Sequence, residues 1–422
     1  MDKSFEFVGF EKNLEAGEFV FKYKLTTSKE TFSFEETLTL PNTQFDKVPE
    51  ELLNGILNSL LLILGISYWK LYCPKEIKLN IPLTSQQAEF WNSVYINGLG
   101  EFFFRNKIDF SEFNLFSPSI ENVEPVKFIR EEKYLLAVGG GKDSIVSGEM
   151  LKKESKKFTA FTLGEHEIQN RIVELFEVDK ITILRKIDPK LLELNKREDA
   201  YNGHIPISAI YHFVGILAAA LYNFKYVIFS NEASANYGNV EYLGKEINHQ
   251  WSKSQEFELL IQEYTENFIT PDIIPYSLLR DMHEIKIVEI FSKYPKYFPF
   301  FSSCNRNFRI AGGGISTLWC GECAKCLFMF AMLSAFLTKK EVVKIFGQSL
   351  FDKEELGTKY EELLGKRDHK PFDCVGTPEE VRLAFYLAHE KREYKDSPIM
   401  KMFESEFSKD FDNIIESKES FL

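Results

Sequence analysis

Tyr134-Leu-Leu-Ala-Val138 runs directly into Gly139-Gly-Gly-Lys-Asp-Ser144, and this junction decides the fold. Five apolar residues read as a buried strand, three glycines as a tight turn, and Ile145, Val146 and Met150 at helical spacing as the start of a helix. Glycines Gly139, Gly140 and Gly141 let the main chain approach an anion, and the unpaired N–H groups of a first helical turn point towards it. Lys142 supplies a point charge, Asp143 a carboxylate that suits a metal ion, and Ser144 a hydroxyl. The Walker A loop requires Ser or Thr after Gly-Lys, where Asp143 stands, and the dinucleotide fingerprint requires a final glycine, where Ser144 stands. Both are excluded, which leaves a phosphate cradle of another kind.

Outward from this turn the chain alternates strand and helix. Phe158–Thr162, Lys180–Leu184 and Tyr226–Ser230 read as strands, and Glu167–Phe176 and Ile207–Tyr222 as helices. Such alternation predicts a parallel α/β sheet, with ligands beyond the carboxyl ends of its strands. That edge should gather Gly139–Ser144, the segment after Thr162 and residues 231–239.

Upstream, Phe5–Phe10, Phe19–Leu25 and Phe32–Leu40 alternate apolar and polar residues as short strands. Helices are expected over Val48–Leu64 and Ser85–Asn97, with Ser85 as N-cap, while Phe102–Phe104 reads as strand or core. Downstream, Ala331–Leu337, Lys339–Phe346, Asp352–Leu364 and Pro378–His389 read as helices, and the tail from Lys401 as a solvated end. The predicted organisation is an α+β segment over 1–125, a phosphate-binding α/β domain over 126–338 and a helical region over 339–422. Ser117–Pro125, rich in turn formers, serves as the linker.

The composition narrows the partners. With 51 basic and 63 acidic side chains the net charge is −12, which disfavours a nucleic acid partner. The N-terminus has no signal-peptide core, and the apolar segment Leu52–Ile66 is short for a membrane span, so a cytoplasmic protein is expected. Four of the six cysteines crowd together as Cys304…Cys320-Gly-Glu-Cys323-Ala-Lys-Cys326, with Cys304 returning across Ala311–Gly314. Four thiolates complete a closed tetrahedral zinc shell, although Cys-x-x-Cys-x-x-Cys also occurs in iron–sulfur ligation.

Gly139-Gly-Gly-Lys-Asp-Ser144 resembles the Ser-Gly-Gly-x-Asp-Ser loop of the PP-loop ATP pyrophosphatases, with Gly139 replacing the first serine. The cysteine arrangement is similar to that of their relatives that make 7-cyano-7-deazaguanine, which bind zinc structurally. Further stretches narrow the resemblance: Asn202-Gly-His-Ile-Pro206, Ser230-Asn-Glu-Ala-Ser-Ala-Asn-Tyr-Gly-Asn-Val240, Lys245–Ser254, Ser303-Cys-Asn-Arg306, Trp319–Cys326 and Phe372-Asp-Cys-Val-Gly376. Together they resemble the UDP-N-acetylmuramoyl-L-alanyl-L-glutamate epimerase (MurL) family. That resemblance implies ATP and Mg²⁺ as cofactors, a structural Zn²⁺, and UDP-MurNAc-L-Ala-L-Glu as the small-molecule substrate. Its terminal glutamate would be adenylated, deprotonated at the α-carbon, reprotonated on the other face and freed from the adenylate by hydrolysis as a D-glutamyl residue of the same molecule. The competing expectations are another PP-loop adenylating or tRNA-modifying enzyme, and a nucleotide-binding scaffold without catalysis.

Within this reading Lys142 and Asp143 act on the leaving pyrophosphate, with Asp143 also a metal ligand. Cys374, in a polar loop, and His204 are expected to move the proton, and His249 is an alternative base. Glu232, Asn236, Asn239, Lys245, His249, Arg280 and Arg306 are expected to orient the carboxylate or the UDP phosphates, arginine because its donors form a fork. Cys304, Cys320, Cys323 and Cys326 are the expected zinc ligands.

Overall fold

Phe5, Phe7, Phe19, Phe21, Tyr23 and Leu25 put their rings and branches on one side of the first strands, and that alternation builds an antiparallel meander. The computed structural model describes residues 3–41, 45–308, 317–367 and 369–422. The glycine run Ala311–Gly314 lies outside the described residues. In chain order the strands are β1 (Ser4–Asn13), β2 (Glu18–Thr26), β3 (Thr31–Thr39), β4 (Glu76–Leu79), β5 (Tyr134–Ala137), β6 (Phe158–Leu163), β7 (Lys180–Lys186), β8 (Tyr226–Phe229), β9 (Val240–Tyr242), β10 (Lys245–Ile247) and β11 (Ile274–Ser277).

Among the described residues nine of these form one sheet, in the order β11-β8-β5-β6-β7-β3-β2-β1-β4, while β9 and β10 make a separate hairpin. The β11-β8-β5-β6-β7 half is parallel throughout. β3 joins it antiparallel to β7, so the N-terminal meander continues the parallel sheet. Arg185 on β7 locks this seam with a 2.6 Å bond to the buried Glu36 on β3, and the Tyr68 hydroxyl donates to the same carboxylate at 2.7 Å. With both lone-pair regions of Glu36 occupied, the buried charge is compensated.

One core packs the N-terminal strands and the helices Glu50–Trp69 and Ile207–Tyr222 against one face; a second packs the helices after residue 284 against the other. The helix Glu50–Trp69 runs beyond the expected end at Leu64. Among the described residues it is the one helix long and apolar enough to cross a membrane, and most of its length is buried inside the fold. Each of its fully buried leucines contributes on the order of 2 kcal/mol by leaving water.

Several sequence expectations are corrected here. Phe102–Phe104 belongs to the helix Gly100–Asn106. Thr84, not Ser85, caps the preceding helix Ser85–Gly98, because its hydroxyl accepts from the Gln87 amide while the Gln87 side chain returns the bond. Residues 352–364 split into a 3₁₀ turn and the helix Gly357–Leu363. The tail is helical rather than a loose end: Pro398–Phe407 and Phe411–Glu416 bury Phe403, Phe407 and Ile414, while most residues from Lys401 onward stay exposed. Strands β4 and β11 were too short to register as periodic patterns.

Candidate active site

The chain adds β6 and β7 on one side of β5 and then returns to place β8 on the other. The turn after β5 therefore opens at a switch point, where α/β sheets bind ligands. Gly140 takes φ +88°, and a Cβ there would lie 2.7 Å from Ile168 Cγ2, so the turn requires glycine at this position. The helix Lys142–Lys153 starts at Gly141 with no side chain capping its first turn. Its N–H groups remain available to an anion.

The side chains of this turn differ in placement. Ser144 Oγ donates to the Gly141 carbonyl at 3.1 Å, and Asp143 is partly exposed. Lys142 is buried: its ammonium contacts Asp143 Oδ1 at 2.5 Å and also pairs with Glu284, at the start of the helix Glu284–Phe291. Burial alone would lower the Lys142 pKa, but Asp143, Glu284 and Glu232 outweigh it and raise it. Burial pushes the Glu284 carboxyl up to about 8 and raises Glu232 as well. Glu232 Oε2 is buried with no hydrogen-bond partner. Asp143, Glu232 and Glu284 bring three carboxyl groups together beside Lys142 and Lys253, an oxygen donor set of the kind a divalent cation takes once they are ionised.

On the other side of this acidic cluster stands Cys374, half-buried. Burial acts to raise its pKa, yet Lys253, Lys325 and His249 hold it well below 9. His249 in turn is pushed up to about 9: burial opposes the charge, and interactions with Cys374 and Glu101 overcome it. Glu101 Oε2 lies 2.5 Å from His249 Nδ1, and His204 Nδ1 lies 3.7 Å from the same oxygen. The two imidazole rings sit 4.4 Å apart, and burial with His249 alongside depresses His204 to about 3. The Asn239 side chain ties these loops together. It accepts from the His249 amide at 2.8 Å and donates to the Pro371 carbonyl at 2.9 Å, while Gln250 Nε2 donates to the Val375 carbonyl.

Lys253 links the two halves. Its ammonium, opposed by burial, is stabilised by Cys374, Glu232, Asp143 and Glu284 together, so the glycine turn and the cysteine share one electrostatic site. Lys370, buried beside Tyr237, has its pKa lowered by desolvation.

Of the residues expected from sequence, Lys142, Asp143, Glu232, His204, His249 and Cys374 converge. Arg280 is close by but fully engaged: it bonds Glu258 at 2.5 Å and the carbonyls of Glu232 and Lys253. Asn236 is exposed and caps the helix Gln255–Phe268 through the Gln255 amide. Lys245 is exposed on β10 over the Phe110 ring, and Arg306 pairs with Glu322 beside the cysteine cluster. The sequence reading passed over Glu101, Lys253, Glu284, Lys325 and Lys370. Lys253 stands inside a polar stretch already singled out, whereas Glu101 sits in a phenylalanine-rich helix that looks like packing alone.

Cys304, Cys320, Cys323 and Cys326 gather with their ligand atoms within 4.8 Å of one another. The Cys304–Cys323, Cys320–Cys326 and Cys323–Cys326 sulfur pairs are 3.9, 3.6 and 3.4 Å apart. A tetrahedron with Zn–S bonds of about 2.3 Å has edges of about 3.8 Å, so the donor set fits a Cys₄ metal centre.

The fold and site define an α/β enzyme whose ionisable groups collect at the carboxyl edge of its sheet. The MurL N-terminal domain family matches residues 1–278, and the MurL C-terminal domain family matches residues 300–418. A protein of Xanthomonas oryzae pv. oryzae is 38% identical over 350 residues, 82% of this chain and 77% of its own length. Relatives from a Micromonospora species and from Salinispora tropica are each 34% identical, over 94% of this chain and 89% and 87% of their own lengths. All three are named UDP-N-acetyl-alpha-D-muramoyl-L-alanyl-L-glutamate epimerase. The chain belongs to the MurL family.

Proposed function

We propose that this chain epimerises the terminal L-glutamate of UDP-MurNAc-L-Ala-L-Glu to D-glutamate, using ATP to activate the α-carboxylate and releasing AMP and pyrophosphate. The observation that carries this reading is the junction of an anion-ready glycine turn with the Cys374–His249–Glu101 group through Lys253. The substrate's own diphosphate could occupy a phosphate cradle too, but the chemistry of the reaction favours ATP there. A carboxylate resists loss of its α-proton because the carbanion forms beside a negative charge, and adenylation removes that charge. In this reading the loop is of the PP-loop type: the first-turn N–H groups and Ser144 hold the leaving pyrophosphate. Asp143, Glu232 and Glu284 would hold Mg²⁺, which screens the charge that develops on the phosphates. Lys142 keeps these carboxylates in place, and the four clustered cysteines would hold a structural Zn²⁺.

At the other end, Lys253 and Lys325 attract the anionic substrate to Cys374. His204, depressed to about 3, is neutral but a weak base, so Lys370, whose pKa burial lowers towards the neutral amine, is the group assigned to accept the proton from carbon. The test is incubation of the purified protein with ATP, Mg²⁺ and UDP-MurNAc-L-Ala-L-Glu in D₂O, followed by hydrolysis of the product and chiral analysis of its glutamate. The expected product is α-deuterated D-glutamate with one AMP formed per turnover. L-glutamate without deuterium, under conditions where a known epimerase is active, sinks the proposal.

A further inference from the structure

The Cys374–His249–Glu101 group carries a consequence for the order of bond changes, and it rests on the function proposed above. Glu101 occupies Nδ1 of His249 at 2.5 Å, which leaves the other ring nitrogen for the thiol of Cys374. Asn239 and Gln250 pin the His249 loop to the loop that carries Cys374. A metal reading of Glu101, His204 and His249 is disfavoured, because Arg105 Nε already bonds Glu101 at 2.5 Å and Lys70 adds a second positive charge beside His204. A thiol, an imidazole and an orienting carboxylate in that sequence form the arrangement that activates attacking cysteines.

We propose that Cys374 is a nucleophile: its sulfur takes the activated glutamyl group as a thioester, with His249 as the imidazole partner and Glu101 as the positioning residue. The thiolate attacks the carbonyl carbon of the acyl-adenylate, the C–S bond forms, and the C–O bond to phosphate breaks with AMP leaving as the anion. The thioester α-carbon then loses its proton to a base and regains one on the opposite face. Water adds to the thioester carbonyl, the C–S bond breaks, and the thiolate leaves together with the D-glutamate carboxylate. The sum is ATP, water and L-glutamyl substrate converted to AMP, pyrophosphate and D-glutamyl product.

The electrostatics favour this role over that of a base. A thiolate whose pKa is held well below 9 loses basicity in full proportion to the shift, but its nucleophilicity falls only with a Brønsted slope of about 0.4–0.5. Such a sulfur is a weak base for a carbon acid and a competent attacking group. Transfer to Cys374 also retains the activated glutamate after AMP has gone.

Full-length protein mixed with ATP, Mg²⁺ and UDP-MurNAc-L-Ala-L-Glu and quenched in acid should show an intact-mass increase equal to the substrate acyl group. The increase should map to Cys374 and disappear with hydroxylamine. In Cys374→Ala the ratio of AMP released to pyrophosphate exchanged should fall by about 10³-fold. If that ratio is unchanged while epimerisation is lost, Cys374 handles only a proton and the thioester is overturned. If substrate drives no pyrophosphate exchange in the wild-type protein, carboxylate activation itself fails, an outcome separable from failure of the thioester.

Discussion

The two cysteine sites of this chain use the same side chain for opposite purposes. Cys304, Cys320, Cys323 and Cys326 face one another at 3.4–3.9 Å with a second core packed behind them. Four thiolates in that geometry would repel one another unless a cation neutralised them, so the donor set fits a metal centre that would add rigidity. Cys374 stands alone among Lys253, Lys325 and His249, which neutralise it without occupying it. Sulfur bound by a closed metal shell is inert, whereas sulfur stabilised by distant cations stays reactive. Lys325, between Cys323 and Cys326, joins the two: the same turn that gathers the clustered sulfurs carries the charge that acts on Cys374.

The largest expected effect breaks the comparison on the structural side. Cys323→Ser should abolish bound metal in elemental analysis and lower thermal stability drastically, since a closed cysteine site contributes on the order of 10 kcal/mol to folding. Cys374→Ser should leave metal content intact. A Cys323→Ser protein with full stability would contradict a structural role. Next comes Lys142→Met, which strands Asp143, Glu284 and Glu232 without their ammonium. Denaturant unfolding should register a loss of about 3–5 kcal/mol, the usual cost of an uncompensated buried charge.

A smaller change sharpens the reactive side. With Glu101→Gln the His249 imidazolium loses its carboxylate, its pKa falls, and the Cys374 thiolate loses a positive neighbour. Alkylation of Cys374 against pH, followed by peptide mapping, should shift upward by roughly one unit. Glu101→Asp should restore part of the shift, and no movement would remove Glu101 from the thiol's environment.

The pH dependence of stability has a definite sign. His249 rises from 6.5 to about 9 on folding, so its stabilisation is fully present below pH 6.5 and is lost as pH climbs through 9. Glu284, raised from 4.5 to about 8, acts in the same direction, with folding favoured below 4.5 and the benefit lost through 8. Cys374, depressed on folding, gains stability as pH rises towards 9 and offsets the His249 loss, so unfolding midpoints should decline chiefly across the Glu284 window, between about pH 4.5 and 8. The smallest expected effect is Lys245→Ala: exposed and distant in character from both cysteine sites, it should change stability by less than ~0.5 kcal/mol. Activity assays with and without this lysine also test whether it meets the substrate at all.

Much of the architecture could be read directly. The strands at Tyr134, Phe158 and Tyr226 begin where their β-rich apolar stretches begin, as buried parallel strands do, while the strand at Lys180 shows alternation and buries Ile181 and Ile183 on one face. The helix Glu167–Phe176 buries Ile168, Ile172, Val173 and Phe176, the stripe its spacing predicts. The tail was misread because charged residues outnumber the few aromatics that anchor it, and those find their partners only in the helix Pro378–Glu390.

For the site, the sequence alone determined the glycine turn and the three cysteines Cys320, Cys323 and Cys326, since spacing within a few residues fixes which backbone and sulfur atoms can converge, and Cys304 lies close enough along the chain to join them. It also marked Cys374, His204 and His249 as polar residues in glycine-containing stretches, without giving any of them a partner. Tertiary structure decided the rest. Glu101 reaches His249 from 148 positions away, and Lys142 meets Glu284 from a helix on the other side of the chain's midpoint. A pKa and a chemical role depend on the charges and burial around a group. Those neighbours are set by how the sheet brings distant segments to one edge, which no local pattern encodes.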